Sequence, residues 1–143
     1  MKVEKCLSSI DHLGILVRDL DKAVKLFSDL FEMEFENPHD TPDADIRESM
    51  EPGGINLYEP LAPERSKNPG AMAKNLDRWG EGVNMVSFKV PNLEEAVTEM
   101  QAKGLRLISS FTYKEIKIAL FHPKDTFGIT IELCEYKAKH PAS

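Results

Sequence analysis

Apolar and polar positions along this chain alternate, change period, and then repeat the same progression. Residues 10–17, IDHLGILV, alternate with a period of two. This predicts a strand with Ile10, His12, Gly14 and Leu16 on one face and Asp11, Leu13, Ile15 and Val17 on the other. The period lengthens after Arg18. Asp19 reads as a helix N-cap, and Ala23, Val24, Phe27 and Leu30 form an apolar stripe that leaves Lys22, Lys25 and Asp29 to water. A short strand over Glu32–Glu36, a polar loop over Asn37–Asp45 and a strand over Ile46–Met50 follow. Gly53-Gly54 then turns the chain into a strand over Ile55–Glu59. Pro60–Pro69 reads as a linker, and Ala71–Trp79 as a short helix closed by Gly80 and Gly82. Beyond it come a strand over Val83–Val90 and a helix over Leu93–Lys103 ended by Gly104. Strands are predicted over Leu105–Ser109, Lys117–Phe121 and Ile129–Glu135, with a turn at His122–Gly128. Residues 1–9 and the tail YKAKHPAS read as loose ends.

The second half is a copy of the first. His12 aligns with Met85, Val17 with Val90, Leu20 with Leu93, and Ala23-Val24 with Ala96-Val97. The closing strands INLYE and IELCE also correspond, at an offset of 73 residues for the first strands and 76 for the last. Two copies are too few for a solenoid. The pattern predicts an α+β fold of two paired β-α-β-β-β modules forming a curved mixed sheet around a cleft. One domain would hold module 10–59, linker 60–81 and module 82–136. A single helix covers one face of each module, so Leu13, Ile15, Val17, Val86, Phe88 and Val90 are expected beneath the helices. The opposite faces carry His12, Gly14 and Leu16; Asn56 and Tyr58; Met85, Ser87 and Lys89; and Thr130, Glu132 and Cys134. A histidine, an asparagine and a glutamate are costly in a closed core unless paired, and they predict the lining of a site.

Composition narrows the class. With 143 residues, 41% apolar and 29% charged, the chain has the make-up of an ordinary globular domain. A net charge of −6 without a basic run argues against nucleic acid or an anionic membrane as partner. No apolar run reaches the roughly 20 residues of a membrane span, and MKVEKCLSSI lacks a signal-peptide core. Cys6 and Cys134 predict two reduced thiols and a cytoplasmic location rather than a disulfide framework. Paired modules leave sheet edges and apolar outer faces, which predicts a homodimer.

The stretches DHLGILVRDL, INLYEPLAP, AMAKNLDRWGEGVNMVSFKV, LEEAVTEMQAKGLRLI and FHPKDTFGITIEL resemble the vicinal oxygen chelate (glyoxalase/bleomycin resistance/dioxygenase) superfamily over about residues 9–136, and within it the methylmalonyl-CoA epimerase branch. The resemblance implies a divalent metal (Co, Mn, Mg or Zn) held by four inner-strand side chains, matching His12, Asn56, Met85 and Glu132. His12 and Glu132 keep the family's residue types. Asn56 stands for Gln or Glu, and Met85 stands for His. A thioether is a poor ligand for a hard cation, and Asn84 points to the other face, so the set falls short of an ordinary catalytic centre. The alternatives for Met85, His12 and Glu132 are, in turn, a pocket-floor group, a hydrogen-bonded core histidine and a carboxylate with a buried partner.

The resemblance further implies proton abstraction next to a thioester, with a base in the loop before the third strand. PDADI puts Asp43 near that position, with Asp45 or Glu48 as alternatives. His12, Glu132 and Asp43 are thus the candidate catalytic residues. Lys124 and His122, in the retained turn HPKD, are candidates for binding a small acidic or acyl-CoA-type ligand. Two functions stand. One is an epimerase-like isomerase or lyase that enolises an acyl-CoA or small carboxylated carbonyl compound. The other is a non-catalytic protein that sequesters a small molecule, favoured by the missing metal histidine. A dioxygenase or glyoxalase I lacks the ligands it needs here.

Overall fold

Each repeat folds as a strand, a helix and three further strands, and the fold is α+β, as the pattern predicts. The computed structural model describes residues 9–137; Cys6, the lead-in before it and the tail from residue 138 lie outside the described residues. The first module holds β1 (Ser9–Leu16), α1 (Leu20–Phe31), β2 (His39–Thr41), β3 (Ile46–Glu51) and β4 (Ile55–Pro60). Helix α2 (Ala71–Trp79) follows. The second module holds β5 (Gly82–Lys89), α3 (Leu93–Ala102), β6 (Leu107–Tyr113), β7 (Ile116–Phe121) and β8 (Thr130–Glu135). The described residues divide into two units, one of residues 14–83 and one that joins residues 9–13 to residues 84–137.

In the 14–83 unit the strand order is β2-β3-β4 and then the last part of β1, residues 14–16, with β2, β3 and β4 antiparallel. Asp19 caps α1, its side chain accepting the Lys22 N–H at 3.1 Å. Leu20 is fully buried and Ala23, Val24 and Phe27 are half-buried, but Leu30 is 61% exposed. Leu30 lies at the flank of the predicted stripe, where successive 100° steps have carried it off the sheet. The predicted strand over Glu32–Glu36 is irregular instead. Glu32 is left-handed at φ 55° and turns the chain at the helix end, and Pro38 has no N–H for a ladder. The strand starts at His39, inside the segment expected to be loop, and pairs His39 with Glu48 and Thr41 with Ile46.

In the other unit the order is β5-β8-β7-β6, with β5 and β8 parallel and the remaining neighbours antiparallel. Helix α3 covers one face. Val90, Leu93, Ala96, Met100, Ala119, Phe121 and Leu133 are buried together there, with Phe88, Val97 and Ile131 packed against them. Burying a side chain such as Phe121 contributes about 1.5–3 kcal/mol. Strand β6 runs past the expected Ser109 to Tyr113, where Lys114, left-handed at φ 53°, opens the turn to β7.

The repeat extends to how each helix is anchored. The Leu20 N–H donates to Glu59 at 2.6 Å, and the Leu93 N–H donates to Glu135 at 2.7 Å. Each closing strand therefore ends in a carboxylate set on the positive end of its own module's helix. Val17 N–H to Tyr58 C=O and Val90 N–H to Cys134 C=O are the matching backbone bonds, at 2.9 and 2.8 Å.

Candidate functional site

Two polar clusters sit on sheet faces turned away from the helices, one in each unit. The first starts from strand alternation. Parallel pairing sets Ser87 beside Glu132 and Lys89 beside Cys134, while Phe88 and Leu133 point to α3. The Ser87 hydroxyl donates to Glu132 Oε2 at 2.5 Å. The same oxygen lies 3.2 Å from His12 Nε2, and His12 Nδ1 lies 2.6 Å from Asp11 Oδ2. The Tyr136 hydroxyl hydrogen-bonds the other oxygen of Asp11, and Lys89 lies over the Tyr136 ring, 4.0 Å from its centre. His12 and Glu132 are 5% and 8% exposed.

This cluster sets charge states. Burial alone would lower the His12 pKa, but the flanking carboxylates of Asp11 and Glu132 outweigh it and raise it to about 10. His12 is therefore an imidazolium at neutral pH. Cys134, buried beside Ser87, has its thiol pushed far up by desolvation, so it is an inert thiol. Burial and the Asp11 carboxylate likewise push Tyr136 up.

The donor set does not fit the divalent metal that the family resemblance implies. His12 and Glu132 do converge, and Asp11 holds the other ring nitrogen as a carboxylate behind a ligating histidine does, so the misfit lies in the remaining donors. Met85, buried at 7%, offers a thioether at the fourth of the implied ligand positions. Among the described residues no group of three or more His, Cys, Asp or Glu is placed to hold a metal ion.

The second cluster lies on β2, β3 and β4. Antiparallel register pairs Glu48 with Tyr58 and with His39, and Met50 with Asn56. The side chains of His39, Thr41, Glu48, Asn56 and Tyr58 therefore leave one face. Arg47 and Glu59 leave the other; Glu59 receives the α1 N-terminus there, and Arg47 reaches Asp21 at 3.3 Å. The Thr41 hydroxyl donates to Glu48 Oε2 at 2.5 Å, and the Asn56 amide donates to Glu48 Oε1 at 3.1 Å. The Asn56 carbonyl oxygen is buried and accepts no hydrogen bond from the described residues.

The other candidates stand apart from these clusters. Asp43 lies in a 3-10 turn over Pro42–Ala44, with both its oxygens 3.2 Å from the Lys67 ammonium. Asp45 is buried at 2% and accepts the Met72 N–H of α2 at 2.8 Å. His122 caps its own turn, its Nδ1 accepting the Lys124 N–H at 3.0 Å, and the Lys124 side chain is exposed. Of the residues singled out in the sequence, His12 and Glu132 are brought into contact. Glu48, there an alternative to Asp43, has the more developed hydrogen-bond set. Asp11, His39 and Thr41 are not among the sequence candidates. Stepping back in twos from Asn56 through the Gly53-Gly54 turn finds Glu48, whereas His39 follows only from the pairing of β2.

A family model described as the Glyoxalase/Bleomycin resistance protein/Dioxygenase superfamily matches residues 11–135. The structure is similar to methylmalonyl-CoA epimerase from Mycobacterium tuberculosis, at 31% identity and a TM-score of 0.77 over 94% of this chain and 92% of that one. It is also similar to a variant of Streptomyces coelicolor methylmalonyl-CoA epimerase in complex with 2-nitronate-propionyl-CoA, at 28% identity and a TM-score of 0.75 over 90% and 97% of the two chains. The mitochondrial methylmalonyl-CoA epimerase of Bos taurus is 27% identical over 134 residues, which cover 89% of this chain and 74% of that protein. Among the described residues no helix is long and apolar enough to cross a membrane.

Proposed function

The chain belongs to the Glyoxalase/Bleomycin resistance protein/Dioxygenase superfamily, and from that premise we propose that it is an epimerase-like isomerase or lyase. It acts by removing a proton next to the carbonyl of an acyl-CoA or small carboxylated carbonyl compound, in the cytoplasm and as a homodimer. Such chemistry needs a group that takes a proton and one that supplies a proton or a cationic donor to the enolate oxygen. The observation that carries the reading is that the chain holds one group suited to each role. Glu48 is a carboxylate oriented by two neutral donors, Thr41 and Asn56. His12 is an imidazolium held between Asp11 and Glu132. We assign Glu48 as base in place of Asp43, whose carboxylate is engaged by Lys67. His12 is assigned as acid, with Glu132 setting its orientation. Lys124 is the candidate for a substrate carboxylate or phosphate, and His122 shapes that turn.

The relatives whose names specify methylmalonyl-CoA suggest the probe. The test is α-proton exchange of methylmalonyl-CoA in deuterated buffer with a chelator present. Wild type should exchange. Glu48→Gln should lose at least about 100-fold, the scale of a removed general base, and Asp43→Asn less than about threefold. Exchange lost with Asp43→Asn and kept with Glu48→Gln would reverse the assignment. The second reading, a sequestering protein, draws on Met85 at the implied ligand position. It becomes the better account if wild type binds the thioester without exchanging its proton.

A further inference from the structure

We propose that His39 is a proton relay acting through Glu48, passing the abstracted proton outward beside Glu36. The proposal deepens the reading above and rests on it, since it takes Glu48 as the base. Register carries it first. Strand β2 is only three residues long, yet it places His39 directly opposite Glu48, so the two side chains leave the same face of the sheet. His39 Nε2 lies 3.9 Å from Glu48 Oε2, and His39 Nδ1 lies 3.3 Å from Glu36 Oε1. Glu48 is the most sheltered of the three at 13% exposure, and His39 and Glu36 are alike at 22% and 21%.

The supports around this row are specific. Thr41, two residues beyond His39 on the same strand, donates to the Glu48 oxygen that faces His39. Asn56 holds the opposite oxygen. Glu36 lies in the irregular stretch after α1, but its backbone is pinned on both sides. Its N–H donates to Met50 C=O at 3.0 Å, and its C=O accepts the buried Ser49 hydroxyl at 2.6 Å. The effect is to hold a carboxylate beside the outer nitrogen of His39.

The chemistry is a proton transfer that closes without any co-reactant. The substrate C–H bond breaks with its electron pair left on carbon as the enolate, and the proton forms an O–H bond on Glu48. That proton reaches His39 Nε2 once the side chains close from 3.9 Å to hydrogen-bond distance or through one water, and the resulting imidazolium, beside Glu36, releases one proton to water. Glu48 is again a carboxylate, and His39 is back in its starting state. Without the relay, Glu48 keeps the proton it removed and returns it to the same carbon.

The experiment compares two readouts on methylmalonyl-CoA of one configuration in deuterated buffer. One is deuterium gained by recovered substrate of unchanged configuration; the other is inversion. His39→Gln should lower the ratio of the first to the second at least threefold, with KM within twofold of wild type. Glu36→Gln, which leaves the backbone anchors in place, should move the ratio in the same direction. If both rates fall together at a constant ratio, His39 only braces β2 and the relay is overturned. The relay is equally overturned if neither variant changes anything while Glu48→Gln is inactive. If wild type neither exchanges nor inverts, or Glu48→Gln behaves as wild type, the assignment of Glu48 fails and the relay fails with it.

Discussion

At the scale of single residues, the unusual group is a buried cation on a strand. The folded chain holds the His12 pKa at about 10, against roughly 6.5 when unfolded. Its contribution to stability is therefore complete below about pH 6.5. It shrinks as pH rises through the window and is gone above about 10, because there the folded state no longer binds the extra proton. Unfolding free energies from urea titrations at pH 6, 8 and 10 should fall for wild type by an amount on the order of a few kcal/mol, while His12→Gln stays flat over the same window. Met85 supports a second expectation. It sits on the same strand face as Ser87, two residues away, and Ser87 bonds Glu132. Met85→His should raise Co²⁺ affinity at least about tenfold in calorimetric titration, roughly 1.4 kcal/mol, by adding a third nitrogen or oxygen donor to His12 and Glu132. No gain would mean that the carboxylate–imidazolium pair outcompetes the ion. His12 and Glu132 were legible in the sequence because a period of two on an apolar strand marks a polar residue as facing something. The charge on His12 was not, since it depends on Asp11, its chain neighbour, folding its carboxylate back onto the ring.

At the scale of elements, the two long helices and most strands were legible, because caps and apolar periods are local signals. Asp19 and Asn92 cap α1 and α3 through their side chains, accepting at 3.1 and 3.0 Å. What was not legible is β2, where Pro38, Asp40, Pro42 and Asp43 read as loop and only partnership with β3 makes a strand. The same segment hides a device for α2. Asp45 takes a left-handed backbone at φ 58°, closes the 3-10 turn and accepts the Met72 N–H. Asn tolerates that backbone and can still accept; Ala does neither. Asp45→Ala should cost about 2 kcal/mol and lower Tm by roughly 5 °C in thermal unfolding, and Asp45→Asn less than half of that. Equal losses would show that the charge, not the cap, matters.

At the scale of the molecule, α1 leaves Leu26, Leu30 and Phe31 between 54% and 61% exposed. Three large apolar side chains on one helix suit a covered surface better than an open one. We expect a homodimer in sedimentation equilibrium at high micromolar concentration and a shift toward monomer in Leu30→Glu. A strictly monomeric wild type would refute this.

The division of the chain also bears on synthesis. Residues 14–83 form one unit from a continuous stretch, whereas the other unit joins the first part of β1, residues 9–13, to residues from Asn84 onward. Asp11 and its partner Tyr136 are 125 residues apart in sequence. At about 5–20 residues per second, the start of β1 waits on the order of ten seconds after leaving the ribosome before the strand carrying Glu132 follows. Through that interval His12 has Asp11 beside it but no Glu132, and the unit it belongs to has no closing strand. The continuous unit is free to fold during translation, and the discontinuous one is completed only once β8 has been made. Ribosome-stalled chains ending near residue 100 should then protect the Asn56 and Leu57 amides from hydrogen exchange while leaving Ser87 and Phe88 open.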